Sequence, residues 1–205
     1  MNFKDLLTLS DSGKKYWEKL DKNIQQGYKY PFVLKIDNLL SSLNDPQIQI
    51  IKNNYKHIKD VDKLLDKLTE ILIANIYIDE KPKFFNDNSG RPDIFLESTH
   101  KYIEIKRINN SDKQKNICDY CDYLEKNIFF ESTEKYSLEQ TKQNKKSVFK
   151  KIDDHIEKAL KQLKEEKGII YIIYSVDIVG ISITEQEFIN YIKQLSNSQL
   201  PKNIS

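Results

Sequence analysis

The chain has 205 residues, which fits one domain of moderate size or one domain with an added helical lobe. Hydrophobic residues make up 39% and charged residues 31%, so the composition supports a core and excludes compositional disorder. No apolar run reaches the roughly 18 to 20 residues of a membrane span, and Lys4 and Asp5 stand where a signal peptide is apolar. We therefore expect a cytoplasmic protein without membrane contact. The net charge of +2 gives weak support for a nucleic-acid partner.

The N-terminal third is predicted to be helical. Apolar spacing and breaks predict helices over Ser12 to Gln26 and Val33 to Leu43, the second ended by Asn44, Asp45 and Pro46. A third helix is predicted from Asp60 to about Tyr77, because apolar residues recur there at helical spacing. Its predicted apolar stripe consists of Leu64, Leu65, Leu68, Ile71, Leu72 and Ile76. Asp66, Glu70 and Ile73 lie roughly opposite that stripe.

After Pro82 the hydrophobic period changes from that of a helix to that of a strand. Lys83 to Phe85 is predicted to be a strand, and the polar residues from Asn86 to Gly90 are predicted to form a turn. Arg91 to Leu96 and Lys101 to Ile108 then indicate two strands of a hairpin, joined by the residues from Glu97 to His100.

The rest of the chain is expected to complete an α/β fold. Residues 109–147 are predicted to be a polar insertion with one or two short helices. They are followed by an amphipathic helix that begins at Val148 and is capped by Gly168. Two strands are predicted next, at Ile169 to Val176 and at Val179 to Ile183. A capping box at Thr184 then begins the last predicted helix. We expect a small mixed β-sheet flanked by helices. Residues 1–59 would form a helical N-terminal region and residues 60–205 the core, in one compact unit.

Three charged residues of the hairpin carry the chemical signal. Side chains alternate across a strand, so Glu104 and Lys106 share one face while Ile103 and Ile105 point to the other. Asp93 precedes Glu104 by eleven residues, a separation that a tight hairpin closes to make the two carboxylates cross-strand neighbours.

Two neighbouring carboxylates repel each other unless a cation lies between them. Oxygen ligands of this kind select Mg²⁺ or Mn²⁺. A metal there would polarise a phosphodiester and lower the pKa of a bound water, while Lys106 would orient that water or stabilise the developing charge. The pattern therefore predicts phosphodiester hydrolysis, and the alternative is a strand pair with a cross-strand salt bridge.

Pro92-Asp93 followed by Glu104-Ile105-Lys106 resembles the signature of the PD-(D/E)XK nuclease superfamily, which has the restriction-endonuclease-like fold. The resemblance extends to element order from about Asp60 to Ile183. It implies that Asp93 and Glu104 bind the catalytic divalent metal, that the backbone carbonyl of Ile105 is a further ligand, and that Lys106 is the catalytic lysine.

The resemblance also suggests accessory residues. Many members have an acidic residue on the helix before the hairpin, for which Glu70 is the candidate and Asp66 the second choice; a solvated acidic face is the alternative. Gln162 lies where some members have another polar group. Arg91 and Arg107, the only arginines, flank the motif and are candidates for phosphate contacts, although surface arginines beside strands are common.

The remaining metal-ligand residue types give no site. His57, His100 and His155 lack the spacing of metal ligands. Cys118 and Cys121, the only cysteines, form a lone C-x-x-C that cannot by itself make a four-ligand zinc site, so we interpret them as reduced thiols.

The sequence thus predicts an Mg²⁺-dependent endonuclease, with Mn²⁺ as an alternative metal, that acts on DNA in preference to RNA in restriction, repair or defence. Two alternatives stay open: a toxin-type RNase acting on tRNA, and a binding module that kept the fold and lost catalysis. Cutting both strands of a duplex needs two active sites, so a homodimer is a hypothesis on symmetry grounds, without a dimer motif to support it.

Overall fold

The computed structural model describes residues 1–87, 89–108, 138–163, 167–174 and 185–198, together with residues 201 and 204. These residues form seven α-helices and an open, mixed four-stranded sheet, which confirms the α/β class. The chain divides into two compact units, one formed by Met1–Ile105 and Ala159–Tyr171 and the other by Lys106–Lys158 and Ile172–Ser205. The predicted boundary at residue 59 stays a prediction.

Five helices precede the sheet. They are α1 (Phe3–Leu7), α2 (Asp11–Gln25), α3 (Pro31–Ser42), α4 (Asp45–Lys56) and α5 (Val61–Ile76). Polar side chains cap four of them, because Asn2, Ser10, Asn44 and Asp60 each accept a hydrogen bond from the backbone three residues later. The sequence analysis missed α1 and α4. At α4 it took Asn44-Asp45-Pro46 only as a helix end, whereas an N-cap residue followed by an early proline is also the pattern that begins a helix.

The core of the first unit lies among these helices and one face of the sheet. Its fully buried side chains include Leu6, Ile36, Leu64, Ile94 and Ile103. Burial on α5 departs from the predicted stripe, since Ile73 is buried and Ile76 is 66% exposed. Since α2 and α3 both pack against α5, its buried face is wider than one stripe.

The sheet has the strand order β1 (Pro82–Phe84), β2 (Ile94–Leu96), β3 (Lys101–Ile108) and β4 (Gly168–Tyr174). The hairpin is confirmed, because β2 and β3 are antiparallel with Ile94 opposite Ile103 and Phe95 opposite Tyr102. The first predicted strand of the hairpin is shorter than expected, since Arg91 to Asp93 precede β2.

Two helices follow the hairpin. They are α6 (Leu138–Leu163) and α7 (Glu185–Ser198). The first begins inside the predicted insertion, and residues 109–137 of that insertion lie outside the described residues, as do Cys118 and Cys121. In the second unit α6 and α7 pack together, with Phe149 stacked on Tyr191 at a centroid distance of 4.2 Å and the Tyr191 hydroxyl donating to Asp153.

The predicted cap at Gly168 is wrong. The helix ends at Leu163, and Gly168 is the first residue of β4. A side chain at this position would meet Leu163 at 2.6 Å and the backbone oxygen of Tyr102 at 3.1 Å, so close packing of the strand accounts for the glycine. The predicted strand at Val179 to Ile183 lies outside the described residues. Within the described parts of the chain, no helix is long and apolar enough to cross a membrane.

Substituting Gly13→Ala tests the packing of α1 against α2. A Cβ atom at position 13 would lie 2.1 Å from the backbone oxygen of Leu7, so the two helices must separate. We expect the free energy of unfolding in urea to fall by about 1 to 3 kcal/mol, as in other overpacked cores. The exposed substitution Lys15→Ala in the same helix should change it by less than about 0.5 kcal/mol. Equal stability of the two variants would contradict this packing.

Candidate active site

A side-chain hydrogen bond attaches Asp93 to the neighbouring strand. The backbone N–H of Ile105 donates to Asp93 Oδ2 at 2.7 Å. Continuing the observed register by one pair also puts Asp93 opposite Glu104. The carboxylate of Asp93 therefore contacts the strand at the central residue of the Glu104-Ile105-Lys106 segment.

Alternation along the strands places the charged residues together on one face of the sheet. Ile94 and Ile103 are buried in the core, so Phe95 and Tyr102 lie on the opposite face. Glu104 and Lys106 follow Tyr102 at intervals of two residues and share its face of β3. Glu104 is nevertheless fully buried, at 0% exposure. An ionised carboxylate in such a position costs several kcal/mol unless cations or strong donors compensate it.

A cavity of about 100 Å³ opens beside Asp93 in the first unit, and we call it the Asp93 cavity. Four residues selected from the sequence contribute to its wall, namely Glu70, Arg91, Asp93 and Gln162. The structure thus brings together residues from α5, from the segment before β2 and from α6, although they are far apart in sequence.

An ion-paired lysine that the sequence analysis missed also lines this cavity. Lys67 Nζ lies 2.8 and 3.0 Å from the two carboxylate oxygens of Glu70. The same ammonium group lies 2.6 Å from Asp87 Oδ1. Lys67 and Glu70 are largely buried, at 17% and 12% exposure of their side chains. The ammonium therefore joins α5 to the turn that precedes the hairpin.

The charge balance around Glu70 favours its neutral form. Burial raises the pKa of Glu70 to about 8, and the charge of Asp93 adds to this effect while Lys67 opposes it. For Lys67, burial lowers the pKa, but Glu70 and Asp87 outweigh burial and hold it above its ordinary value. Because Asp87 also contacts Lys67, the ammonium keeps a carboxylate partner whether or not Glu70 is ionised.

Helix α4 holds the segment after β1 in place. Asn54 donates to the backbone oxygen of Phe85 at 2.8 Å and accepts from the backbone N–H of Asp87 at 3.3 Å. Tyr55, the next residue, is completely buried, and burial raises the pKa of its hydroxyl, with further contributions from Glu70 and Asp87. Because α4 was not predicted, these residues were not selected from the sequence. The available signal was the run of turn residues directly before Pro92-Asp93.

The two arginines occupy different positions. Arg91 is exposed at the edge of the Asp93 cavity, and its guanidinium carbon lies 5.2 Å from the centre of the Phe85 ring, within cation–π range. Arg107 is half-buried on β3 and alternates onto the side of Ile105, away from Glu104 and Lys106. The predicted phosphate contacts of both residues stay predictions.

His155, which the sequence analysis assigned no role, is a further titratable group of the second unit. Its Nδ1 atom is buried and has no hydrogen-bond partner in the described part of the chain. Burial lowers the pKa of His155, and the positive charges of Lys158 and Lys106 contribute. Both effects favour the neutral imidazole over its charged form.

The described residues contain no group of three or more His, Cys, Asp and Glu side chains arranged to hold a metal ion. The predicted ligands were Asp93, Glu104, the Ile105 carbonyl and, as a further candidate, Glu70, and the three carboxylates do not form such a group in the described part of the chain. Asp93 and Glu104 fit a hard divalent cation by donor chemistry, because both are carboxylates on one face and one is fully buried. Glu70 is less suited in this arrangement, since both of its oxygens contact Lys67.

Comparisons with known proteins gave no match, whether to a family model, to a curated protein or to a solved structure. The assignment of a function to this site therefore depends on its residues alone.

The raised pKa of Glu70 predicts a pH-dependent stability in metal-free buffer. The unfolded chain releases the Glu70 proton near its ordinary pKa of 4.5, whereas the folded chain retains it to about 8. The contribution of Glu70 to stability is thus complete below the lower value and is lost as the pH rises towards 8. We expect Glu70→Gln to reduce the fall in unfolding free energy across this range, by up to about 1.4 kcal/mol per pH unit.

Urea titrations at several pH values in EDTA measure this difference. The exposed substitution Glu18→Gln serves as the control and should keep the wild-type slope. Identical slopes for Glu70→Gln and the wild type would show that Glu70 is ionised in the folded chain.

Proposed function

We propose that this protein is a metal-dependent nuclease of the PD-(D/E)XK type that hydrolyses phosphodiester bonds, with DNA as the preferred substrate in a cytoplasmic restriction, repair or defence setting. The observation that carries the proposal is the hydrogen bond from Ile105 to Asp93. It joins the two halves of the sequence pattern, because it holds the carboxylate of Pro92-Asp93 against the Glu104-Ile105-Lys106 segment.

The roles of the residues follow from their chemistry. Asp93 and Glu104 would hold Mg²⁺ together with the Ile105 carbonyl, and Glu70 is a further candidate. When bound, the metal supplies Lewis-acid activation of the phosphodiester and of a water molecule. Lys106, two residues beyond Glu104 on the same strand face, donates hydrogen bonds that orient the attacking water and stabilise the negative charge developing on the phosphate. Arg91 is placed at the cavity edge to attract the substrate backbone.

Two observations favour an enzyme over a binding module that lost catalysis. A fully buried Glu104 costs stability that a purely structural strand pair avoids with an apolar residue, as at Ile94 and Ile103. The carboxylate of Asp93 also contacts the backbone of Ile105, the residue next to Glu104. The toxin-type RNase remains the second candidate, because the same residues would hydrolyse either backbone.

Cleavage assays with Mg²⁺, Mn²⁺ or EDTA test the proposal on duplex DNA, single-stranded DNA and structured RNA. We expect cutting that depends on the divalent metal. Asp93→Ala should abolish cutting because it removes a metal ligand. Lys106→Ala should reduce the cleavage rate by at least about 100-fold, because it removes a side chain that donates hydrogen bonds in the transition state.

Two exposed residues of the first unit provide matched controls. Asp79→Ala and Lys59→Ala remove the same charges at sites outside the cavity and should cut at the wild-type rate. Cutting of RNA alone would favour the RNase. Metal-independent cutting, or wild-type rates for Asp93→Ala and Lys106→Ala, would contradict the proposed mechanism.

A further inference from the structure

A continuous row of aromatic rings lies on the sheet of the first unit. Tyr102 is its centre, with Phe85 stacked at a centroid distance of 6.4 Å and Phe95 at 4.8 Å. His100 extends the row, since its ring lies 6.0 Å from that of Phe95. We call Phe85, Tyr102, Phe95 and His100 the aromatic row. The proposed nuclease function assigns no role to it.

The aromatic row is on the same face of the sheet as the candidate catalytic residues. Phe95 and Tyr102 are directly opposite each other in register, and Glu104 follows Tyr102 on its own face. Phe85 belongs to both features, because its ring also lines the Asp93 cavity. The row therefore extends from the wall of the cavity to the hairpin turn at His100.

The residues of the row are partly exposed. Phe85, Phe95 and Tyr102 are half-buried and His100 is exposed, whereas the opposite face of the same strands is buried through Phe84, Leu96 and their neighbours. The backbone of His100 has a φ of 51°, an uncommon value for a residue other than glycine.

Two basic side chains flank the aromatic row, beside the acidic residues Asp87 and Asp93 of the cavity. The Arg91 guanidinium lies over the Phe85 ring. Lys83, opposite Phe95 in register, is 41% exposed and forms an ion pair with Glu97. Aromatic faces combined with flanking cations are the features that bind single-stranded nucleic acids, because every base has a ring face and every nucleotide has a phosphate.

We propose that the aromatic row is a stacking platform for unpaired bases of the substrate, so that the protein acts on single-stranded segments of DNA or RNA. This inference depends on the proposed nuclease function, since it names the form of nucleic acid that reaches the Asp93 cavity. Bases in an intact duplex stack on each other and have no free faces, so a duplex does not use these rings. A base that stacks on the row would bring the adjacent phosphodiester towards Phe85, which lines the cavity.

Binding measurements in EDTA test the platform without cleavage. Fluorescence anisotropy would compare short labelled single strands of DNA and of RNA, the corresponding duplexes, and a single strand with abasic sites. We expect the single strands to bind more tightly than the duplexes, and the abasic probe to bind roughly 10-fold more weakly, since base stacking on one ring has about this effect.

Removing a ring from the protein should weaken binding about as much as removing bases from the strand does. Phe95→Leu should weaken binding of the intact single strand by roughly 10-fold and change binding of the abasic probe little. Phe95→Trp keeps a ring and should restore binding, which separates stacking from a general loss of structure. Tyr28→Leu is the control, because it removes an exposed tyrosine, 63% accessible, that is outside the row.

The outcomes separate this inference from the proposed function. Equal binding of intact and abasic strands, tighter binding of duplexes, or equal losses on both probes in Phe95→Leu would overturn the stacking platform even if the protein cuts DNA with Mg²⁺. Base-dependent binding by a protein that cuts no substrate would support the platform and refute the nuclease. Comparing the DNA and RNA probes shows which of the two strands it prefers.

Discussion

The hydrogen bond between the Ile105 backbone and Asp93 is the interaction on which the candidate site depends. Asp93 precedes β2 and is outside the regular ladder, so strand pairing alone does not fix its side chain. The bond to Ile105 supplies that constraint and holds the carboxylate against β3, at the residue next to Glu104. A carboxylate that accepts a backbone hydrogen bond is stabilised in its charged form, which is the form that a metal requires.

The second constraint is electrostatic and comes from Lys67. The Asp93 cavity is lined by three carboxylates, those of Glu70, Asp87 and Asp93, and these would repel one another. The ammonium group of Lys67, on α5, contacts the carboxyl groups of Glu70 and Asp87 and so compensates negative charge at the cavity. This arrangement lets α5 and the turn before β2 pack together without a bound ion. It also separates the roles of the acidic residues, since Glu70 is paired within the protein while Asp93 contacts the strand.

Much of the architecture was predictable, because it depends on local periodicity. The helix at α5, the hairpin and the apolar strand β4 were predicted nearly at their observed positions. The helix α4 was missed because its start signal, Asn44-Asp45-Pro46, is equally a stop signal for the helix before it. Gly168 was assigned to a helix end, whereas its role depends on the closeness of Leu163 and Tyr102, which no local pattern encodes.

The site was predictable only in part, for a similar reason. Strand alternation and the length of the hairpin loop are sufficient to select Pro92-Asp93 and Glu104-Ile105-Lys106 from the sequence. Lys67 and Asp87 do not, because their pairing requires α5 to lie beside the turn, and only tertiary packing decides this. The aromatic row was likewise not predictable, since its rings come from β2, β3, the segment after β1 and the hairpin turn, and only the strand register brings them together.

The most direct test of the account is calorimetric titration of Mn²⁺ into the protein and into Asp93→Asn and Glu104→Gln. The account predicts saturable binding by the wild type, lost or strongly weakened in both variants, because each substitution removes one anionic ligand. Absence of binding to the folded wild type, or equal binding by all three proteins, would contradict a metal site formed by Asp93 and Glu104.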